Sequence, residues 1–509
     1  MRLATTAEMH ALEQGAVDRG VGLEELMDRA GAAVARAVQR LRAGRAGRAL
    51  VLVGPGNNGG DGLVCAEQLR QAGWELALAA VPGRPRDTAR FPILQHIQPG
   101  EVPYERVDVV VDALLGTGAS RPLEGPLAAV LNDVHRRQPS TPVVAVDVPT
   151  GVNADSGAAD PRTLAARLTV SLGLAKPGLF QFPAQPLAGE VRVVDIGLPA
   201  ELLMLARTWL SDAQLAGPML PARPRDAHKG TFGKLLVVDG SPSYSGAPYL
   251  ASLAAMRVGA GLVRLAVPAS VQPLLASKFT EATFTSLPET GSGGLARAAL
   301  PALEELLDQA FDCLLIGPGL GQEVETVALV QELLLSGKRL PAAVVVDADG
   351  LNSLARVPDW FQRLPPGCVL TPHPAEFGRL AGLPAEEVVA GRFALARDRS
   401  AAWGQVLLAK GANCIVAAPD GRTAIDPGAT PLVATAGTGD VLAGTVAGLA
   451  TQGLPAWEAA VAGTRLCSMA SGALAPHFGD AGMLASDLHA QLPLALKALK
   501  AQAIDQAQL

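Results

Sequence analysis

Two stretches of the chain set acidic side chains beside glycine-rich turns, an arrangement that suits proton transfer and phosphoryl transfer. The first is GPGNNGGDG at 54–62, which follows the apolar run LVLV and precedes the helix-like LVCAEQLRQAG. A glycine turn there lets backbone N–H groups approach an anion, and a helix N-terminus adds about half a positive charge. No Gly-Lys-Ser/Thr follows, so this is not a Walker loop. Asn57, Asn58 and Asp61 set it apart from the usual dinucleotide turn. Two further strand-like runs end in polar residues, VVVDALLGTGASRP (109–122) at Asp112 and VVAVDVPTGVNADSG (143–157) at Asp147 and Thr150. The second stretch is TAGTGDVLAGTVAGLA at 435–450. Gly437, Thr438 and Gly439 lead into an apolar helix, so free N–H groups converge where a phosphoryl group could sit. Asp440 falls in the first turn, placed to take a proton from an attacking hydroxyl. Singly, each motif also reads as a capped βα turn.

The elements that must hold these residues alternate as strands and helices along the whole chain, which predicts α/β architecture. Residues 22–42 carry Leu23, Leu26, Met27, Ala30, Val34, Val38 and Leu41 near helical spacing. Strands are predicted near 49–54, 76–81, 107–112, 143–148, 168–172 and 191–195. The proline-dense stretch PMLPARPRDAHKG (218–230) then reads as an exposed linker. Beyond it, strands are predicted near 234–240, 262–267, 312–316, 342–347, 367–371, 405–409 and 414–418. In open α/β sheets ligands bind at the carboxyl ends of strands, where all these polar residues fall.

Composition narrows the partners. Lys+Arg 42 against Asp+Glu 48 gives a net charge of −6, which argues against nucleic acid as a partner, and 4% aromatics is too few for base stacking. Hydrophobic residues make up 49% of the 509, yet no apolar run approaches the roughly 20 residues of a spanning helix, so no membrane partner is expected. The first twenty residues lack the apolar core of a signal peptide. Cys65, Cys313, Cys368, Cys414 and Cys467 show neither zinc-ligand spacing nor a disulfide framework. A reducing, cytoplasmic setting is the expectation. An apolar, weakly charged chain is also expected to form a homo-oligomer.

The combination NNGGDG, DALLGTG and VDVPTG resembles the NAD(P)H-hydrate epimerase domain over most of residues 1–215. AGTGD, GPGLG (317–321), VVVDADGLN (344–352), LTPHPAEFGRL (370–380), LAKGANCIV (408–416) and HKGTFGKLLVVDGS (228–241) together resemble ADP- or ATP-dependent NAD(P)H-hydrate dehydratases. The resemblance implies an N-terminal three-layer Rossmann-like αβα domain at 1–215, a linker at 216–227 and a C-terminal ribokinase-like αβα domain at 228–500. It implies epimerisation of the R and S hydrates NADHX and NADPHX in the first domain. In the second it implies ADP- or ATP-driven dehydration of the S form, by phosphorylation of the C6 hydroxyl and loss of phosphate.

Carried over residue by residue, Asn57, Asn58, Gly59, Gly60 and Asp61, then Gly116, Thr117, Gly118, Ala119, Ser120, Arg121 and Pro122, with Asp147, would bind the hydrate. Asn58, Asp112 and Thr150 would hold a potassium ion, and Asp147 would perform acid/base catalysis. Ala247, Gly319, His373 and Asp440 would contact the hydrate in the second domain, with Asp440 as base. Lys410, Gly411, Ala412, Asn413, Cys414 and Gly439 would hold the adenine nucleotide. Magnesium would bridge the phosphates, with Asp347 and Glu376 organising its water shell. The chain departs from the family at Cys414, where threonine is usual, and at ATPLVAT (429–435), where a glycine- and asparagine-rich stretch is usual. His373 also fits a loop histidine, Lys410 a solvated lysine, and His228–Lys229 linker charge. His10, His96, His135, His477 and His489 show no ligand spacing and are read as structural. Two other readings stay open: a ribokinase-like small-alcohol kinase, and a first half that only binds nucleotide or scaffolds.

Overall fold

The computed structural model describes residues 1–81, 96–97, 107–118 and 122–507. The chain forms two compact units, Arg2–Thr208 and, together with Met1, Trp209–Leu509.

The first unit is built on a seven-stranded sheet ordered His96–Ile97, Glu75–Ala80, Arg48–Val53, Val109–Ala113, Val143–Val146, Leu168–Leu172 and Glu190–Val194. Every pairing is parallel. Parallel strands between helical layers are apolar on both faces, which explains why these runs lack alternation. Leu50, Leu52, Ala77 and Val110 pack on one side, Ala49, Val51, Leu78 and Val111 on the other. The chain runs outward in both directions from the pair Arg48–Val53 and Val109–Ala113, so the topological switch point lies between them. Helix Leu23–Leu41 packs on helix Asn57–Gln71 at Gly31, where a Cβ would lie 2.6 Å from the carbonyl oxygen of Asp61. Helix Thr6–Val17 starts with a capping box: Glu8 N–H donates to Thr5 Oγ1 at 3.2 Å, and Thr5 N–H to Glu8 Oε2 at 2.9 Å.

In the second unit, Thr283–Leu287, Leu262–Pro268, Lys234–Val238, Cys313–Ile316, Ala343–Val346, Val369–Leu370 and Val406–Ala409 lie side by side and parallel. Ile415–Ala417 and Thr423–Ile425 extend the sheet antiparallel, followed by Thr208–Leu210. Its switch point falls between Lys234–Val238 and Cys313–Ile316. Helix Thr438–Thr451 is buried at every position from Val441 to Thr451. It lies against helix Ala247–Arg257 through Gly444 and Gly448, where a Cβ would come within 2.0 Å of Ala251 O and 2.6 Å of Ala255 Cα. Only bare glycine allows backbones that close.

The division at 208/209 precedes the expected 215. Ala213, Ala216 and Leu220 are buried in the second unit's core, so the first part of the expected linker is packed structure. Small apolar side chains on the turns Ala213–Ala216 and Gly217–Met219 let that segment dock, whereas Ala222 to Asp226 stays exposed. Among the described residues, no helix is long and apolar enough to cross a membrane.

Candidate active sites

In the first unit the turn after Arg48–Val53 is only Gly54 to Gly56. Asn57 to Asp61 already belong to the helix Asn57–Gln71, capped by Gly56. Gly54 is obligatory, because a Cβ there would strike Leu114 O at 1.6 Å. This close approach brings the two switch-point turns together and opens a cavity of about 480 Å³. Asn57, Asn58, Asp61, Gly116, Thr117, Gly118 and Asp147 line it. Gly59 and Gly60 are buried in the helix's first turn, with N–H donors 3.1 and 3.3 Å from Gly56 O. Pro122 is exposed outside the cavity lining, and Ala119, Ser120 and Arg121 lie outside the described residues.

Beneath the cavity, Asp112 is fully buried. Its Oδ1 accepts from Thr150 Oγ1 at 2.7 Å and its Oδ2 from Thr150 N–H at 2.9 Å. Burial pushes its carboxyl above the usual range against these hydrogen bonds. Thr150 Oγ1 in turn accepts Leu115 N–H at 3.0 Å. Asn58 is 8% exposed, and neither polar atom of its amide has a hydrogen-bond partner among the described residues. A buried amide left without partners is costly unless something else meets it.

Asp147 occupies a left-handed backbone conformation, φ +67°, at the end of Val143–Val146. Its Oδ1 accepts Leu172 N–H at 3.0 Å and an ion-pairing hydrogen bond from Lys176 Nζ, which also donates to Leu172 O at 3.0 Å. Its Oδ2 accepts no hydrogen bond among the described residues. Sequence reading missed Lys176, which is 0% exposed. The run LGLAKPGLF reads as a solvated lysine before a turn, and only the pairing with Asp147 reveals its place. His10, expected to be structural, lines the cavity together with Glu13. The two project from one face of Thr6–Val17 at i, i+3.

The second unit gathers its polar residues at the same edge of its sheet. Gly437, at φ +91°, caps Thr438–Thr451, and Asp440 sits in the first turn. Burial raises the Asp440 carboxyl to about 7; the carboxylates of Asp347 and Glu376 add to the rise and Lys410 opposes it. Lys410 is 17% exposed and donates to Asp347 Oδ1 at 2.7 Å, with Glu376 Oε2 at 3.8 Å. It is therefore no solvated lysine. Burial alone would lower its pKa, but Asp347 and Glu376 reverse the sign and raise it. Thr371 Oγ1 donates to the same Asp347 oxygen at 2.7 Å. Asp239, at the end of the central strand, escaped sequence reading although VVDG marks it. It is 0% exposed, and burial, with Asp440 and Asp347 adding, pushes its carboxyl well above the usual range.

Gly319, φ +68°, touches Ala247: a Cβ on it would lie 2.9 Å from the Ala247 methyl. His373 caps helix Pro374–Ala381. Its Nδ1 accepts Ala375 N–H at 3.2 Å and its Nε2 lies 3.2 Å from Glu376 Oε1. Lys410, Gly411, Ala412, Cys414 and Gly439 line a pocket of about 210 Å³, with Thr438, Asp426, Cys467 and Ser468. Asn413 is fully buried outside that lining, where its Oδ1 accepts Ala429 N–H at 3.2 Å. It braces the loop while Arg392 donates to Lys410 O at 3.3 Å and Asn413 O at 2.7 Å. His228 is exposed and caps the turn Lys229–Phe232. His489 is buried with Nε2 2.9 Å from Leu250 O.

Both units match known protein families. A family model described as NAD(P)H-hydrate dehydratase matches residues 235–494, and one described as YjeF-related protein N-terminus matches residues 23–178. The first unit is thus a YjeF-type domain and the second a member of the dehydratase class. The bifunctional NAD(P)H-hydrate repair enzyme of Moorella thermoacetica is 40% identical over 98% of this chain and 97% of its own length. That of Thermofilum pendens is 37% identical, again over 98% and 97%. The crystal structure of ADP/ATP-dependent NAD(P)H-hydrate dehydratase from Bacillus subtilis, co-crystallised with ATP and magnesium, superposes with TM-score 0.50. It is 28% identical and covers 57% of this chain and 98% of that one. The chain belongs to the family of bifunctional NAD(P)H-hydrate repair enzymes.

Proposed function

We propose that the first unit interconverts the R and S hydrates of NADH and NADPH, and that the second dehydrates the S hydrate at the expense of ADP or ATP. The observation that carries this reading is a pair of carboxylates, one at a strand end and one in the first turn of a helix, each at the C-terminal edge of its own sheet. One is anchored through a single oxygen beside a large polar cavity. The other stands on a helix N-terminus next to a pocket of about 210 Å³. Carbon C6 of the hydrate bears a hydroxyl and the ring nitrogen, so it opens to an aldehyde when its hydroxyl loses a proton. The unpartnered Oδ2 of Asp147 takes that proton and returns it on either face.

In the second unit Asp440 takes the proton of the C6 hydroxyl as it attacks the terminal phosphoryl group. The N–H groups of residues 437–439 stabilise the charge carried by that group. Phosphate then leaves in place of hydroxide, a far poorer leaving group, which is why the nucleotide is consumed. Lys410, Gly411, Ala412, Cys414 and Gly439 hold the nucleotide, with Asn413 bracing their loop, while Ala247, Gly319 and His373 border the hydrate.

The orphaned buried amide of Asn58, with Thr150 Oγ1 and Asp112, fits a potassium ion, since all three supply hard oxygen donors. Bound there, the ion would neutralise Asp112 and fix the Leu115–Gly116 turn. Direct magnesium ligation is limited there: Asp347 Oδ1 already accepts from Lys410 and Thr371, and Glu376 Oε2 from His373 N–H. Magnesium would enter on the nucleotide phosphates.

The test is recovery of reduced-nicotinamide absorbance from a purified R/S mixture, with ADP and ATP in parallel. Full recovery is expected from the intact chain, and recovery only of the S fraction from Asp147→Ala. A stable phosphorylated product with no recovery would replace the dehydratase reading with a small-alcohol kinase.

A further inference from the structure

The first cavity holds a second carboxylate that its anchoring does not explain. Glu13 comes from helix Thr6–Val17, an element separate from the glycine turns, and lines the same cavity as Asp147. It has no capping duty, because Glu8 already closes the box with Thr5. Among the described residues its carboxylate makes no hydrogen bond. The helix that carries it is fixed at its start by Thr6 N–H, which donates to Asp155 Oδ1 at 2.7 Å, so the side chain is presented by a tethered element. The charged groups facing it are Lys176, Asp147 and His10. Burial holds its carboxyl above the usual range, with Asp147 adding to the rise and Lys176 and His10 opposing it. A half-buried, unpaired carboxyl of this kind is suited to carry a proton rather than a fixed charge.

We infer that Glu13 is the second proton-transferring residue of the epimerase cavity, serving the ring nitrogen while Asp147 serves the C6 hydroxyl. The inference rests on the epimerase reading above. In the opening step Asp147 removes the hydroxyl proton, the oxygen forms a double bond to C6, and the C6–N1 bond breaks. Its electron pair goes to N1, which takes the proton of Glu13. After rotation about C5–C6 the Glu13 carboxylate recovers the N1 proton as N1 attacks the other face of the aldehyde. The new C6 oxygen takes the proton back from Asp147, so every proton and electron pair is returned.

The test follows R–S exchange of hydrated NADH without nucleotide, by chromatographic separation of the epimers, in the full chain, Glu13→Gln and Glu13→Asp. We expect Glu13→Gln to lower kcat for exchange about 100-fold with KM within about threefold, and Glu13→Asp to restore part of it. The decline of exchange at higher pH, caused by loss of the donor's proton, should vanish in Glu13→Gln. Exchange by Glu13→Gln within about twofold of the unmodified chain, or a loss that Glu13→Asp does not lift, overturns the assignment. Absence of exchange in the unmodified chain would instead overturn the epimerase reading itself.

Discussion

The two units place their chemistry at the same position in similar sheets, yet they treat the key carboxylate in opposite ways. Asp147 is pinned through one oxygen by a fully buried lysine and a backbone N–H, and its other oxygen accepts no hydrogen bond among the described residues. Asp440 has no such anchor. It sits among Asp347, Glu376 and Asp239, and the nearby lysine is bonded to Asp347 instead. The difference fits the tasks proposed for them. Shuttling one proton to and fro needs a carboxylate fixed in place, whereas deprotonating an alcohol during phosphoryl transfer needs a stronger base, which burial and like charges provide.

The sharpest way to break this comparison is to remove each carboxylate in turn. Asp440→Asn should lower the dehydration rate by about 10³- to 10⁴-fold while leaving R–S exchange intact, as the two assays run separately would show. Asp147→Asn should do the reverse, with exchange falling about 10²- to 10³-fold and dehydration of pure S hydrate unchanged. Equal losses in both assays for either variant would dissolve the division of labour.

Lys176→Met probes the anchor. It leaves Asp147 half of a broken buried pair, so calorimetry should show the first unit destabilised by about 3 kcal/mol. The transition of the second unit should stay where it is. A comparable lysine loss at Lys410 should cost the fold less, since that side chain is partly open to solvent.

The contrast also predicts a pH signature. With the Asp440 carboxyl raised to about 7, the base is protonated below that pH, so kcat/KM for dehydration should climb as pH passes upward through about 7. Asp347→Asn removes a like charge and frees Lys410 to face Asp440, and both changes move the midpoint down. A midpoint that stays put would mean that another group controls the limb. The smallest effect expected is at Cys414: Cys414→Thr supplies a hydroxyl to the nucleotide pocket and should tighten the apparent KM for ADP or ATP about 2- to 10-fold.

Much of this was legible in the chain itself. Apolar runs buried on both faces mark the parallel strands, and the expected 168–172 and 22–42 elements appear as Leu168–Leu172 and Leu23–Leu41. Glycines that end strands mark the turns of the sites. The edge strand Thr283–Leu287 was missed because three of its five residues are polar, Thr423–Ile425 because it is only three residues long, and Thr208–Leu210 because it docks by pairing rather than by pattern. Lys176 and Glu13 were invisible for a different reason. A buried lysine and a carboxylate on a surface-like helix have no signature in sequence, and they become meaningful only when distant strands and helices meet. Asn58 was read as a ligand from its motif, but its lack of any partner is a fact of packing alone.

The glycine contacts between Thr438–Thr451 and Ala247–Arg257 have an implication for how this protein can change. Gly448 lies about 12 Å along its helix from Asp440, and Ala247 opens the helix on the other side of that contact. A methyl wedged in at Gly448 would lever the distant tip that carries the anion-binding amides, and would shift the partner helix that starts at the hydrate's border. The two helices are therefore heritable only as a matched set. Drift in their seam would tell on the proposed turnover as well as on folding.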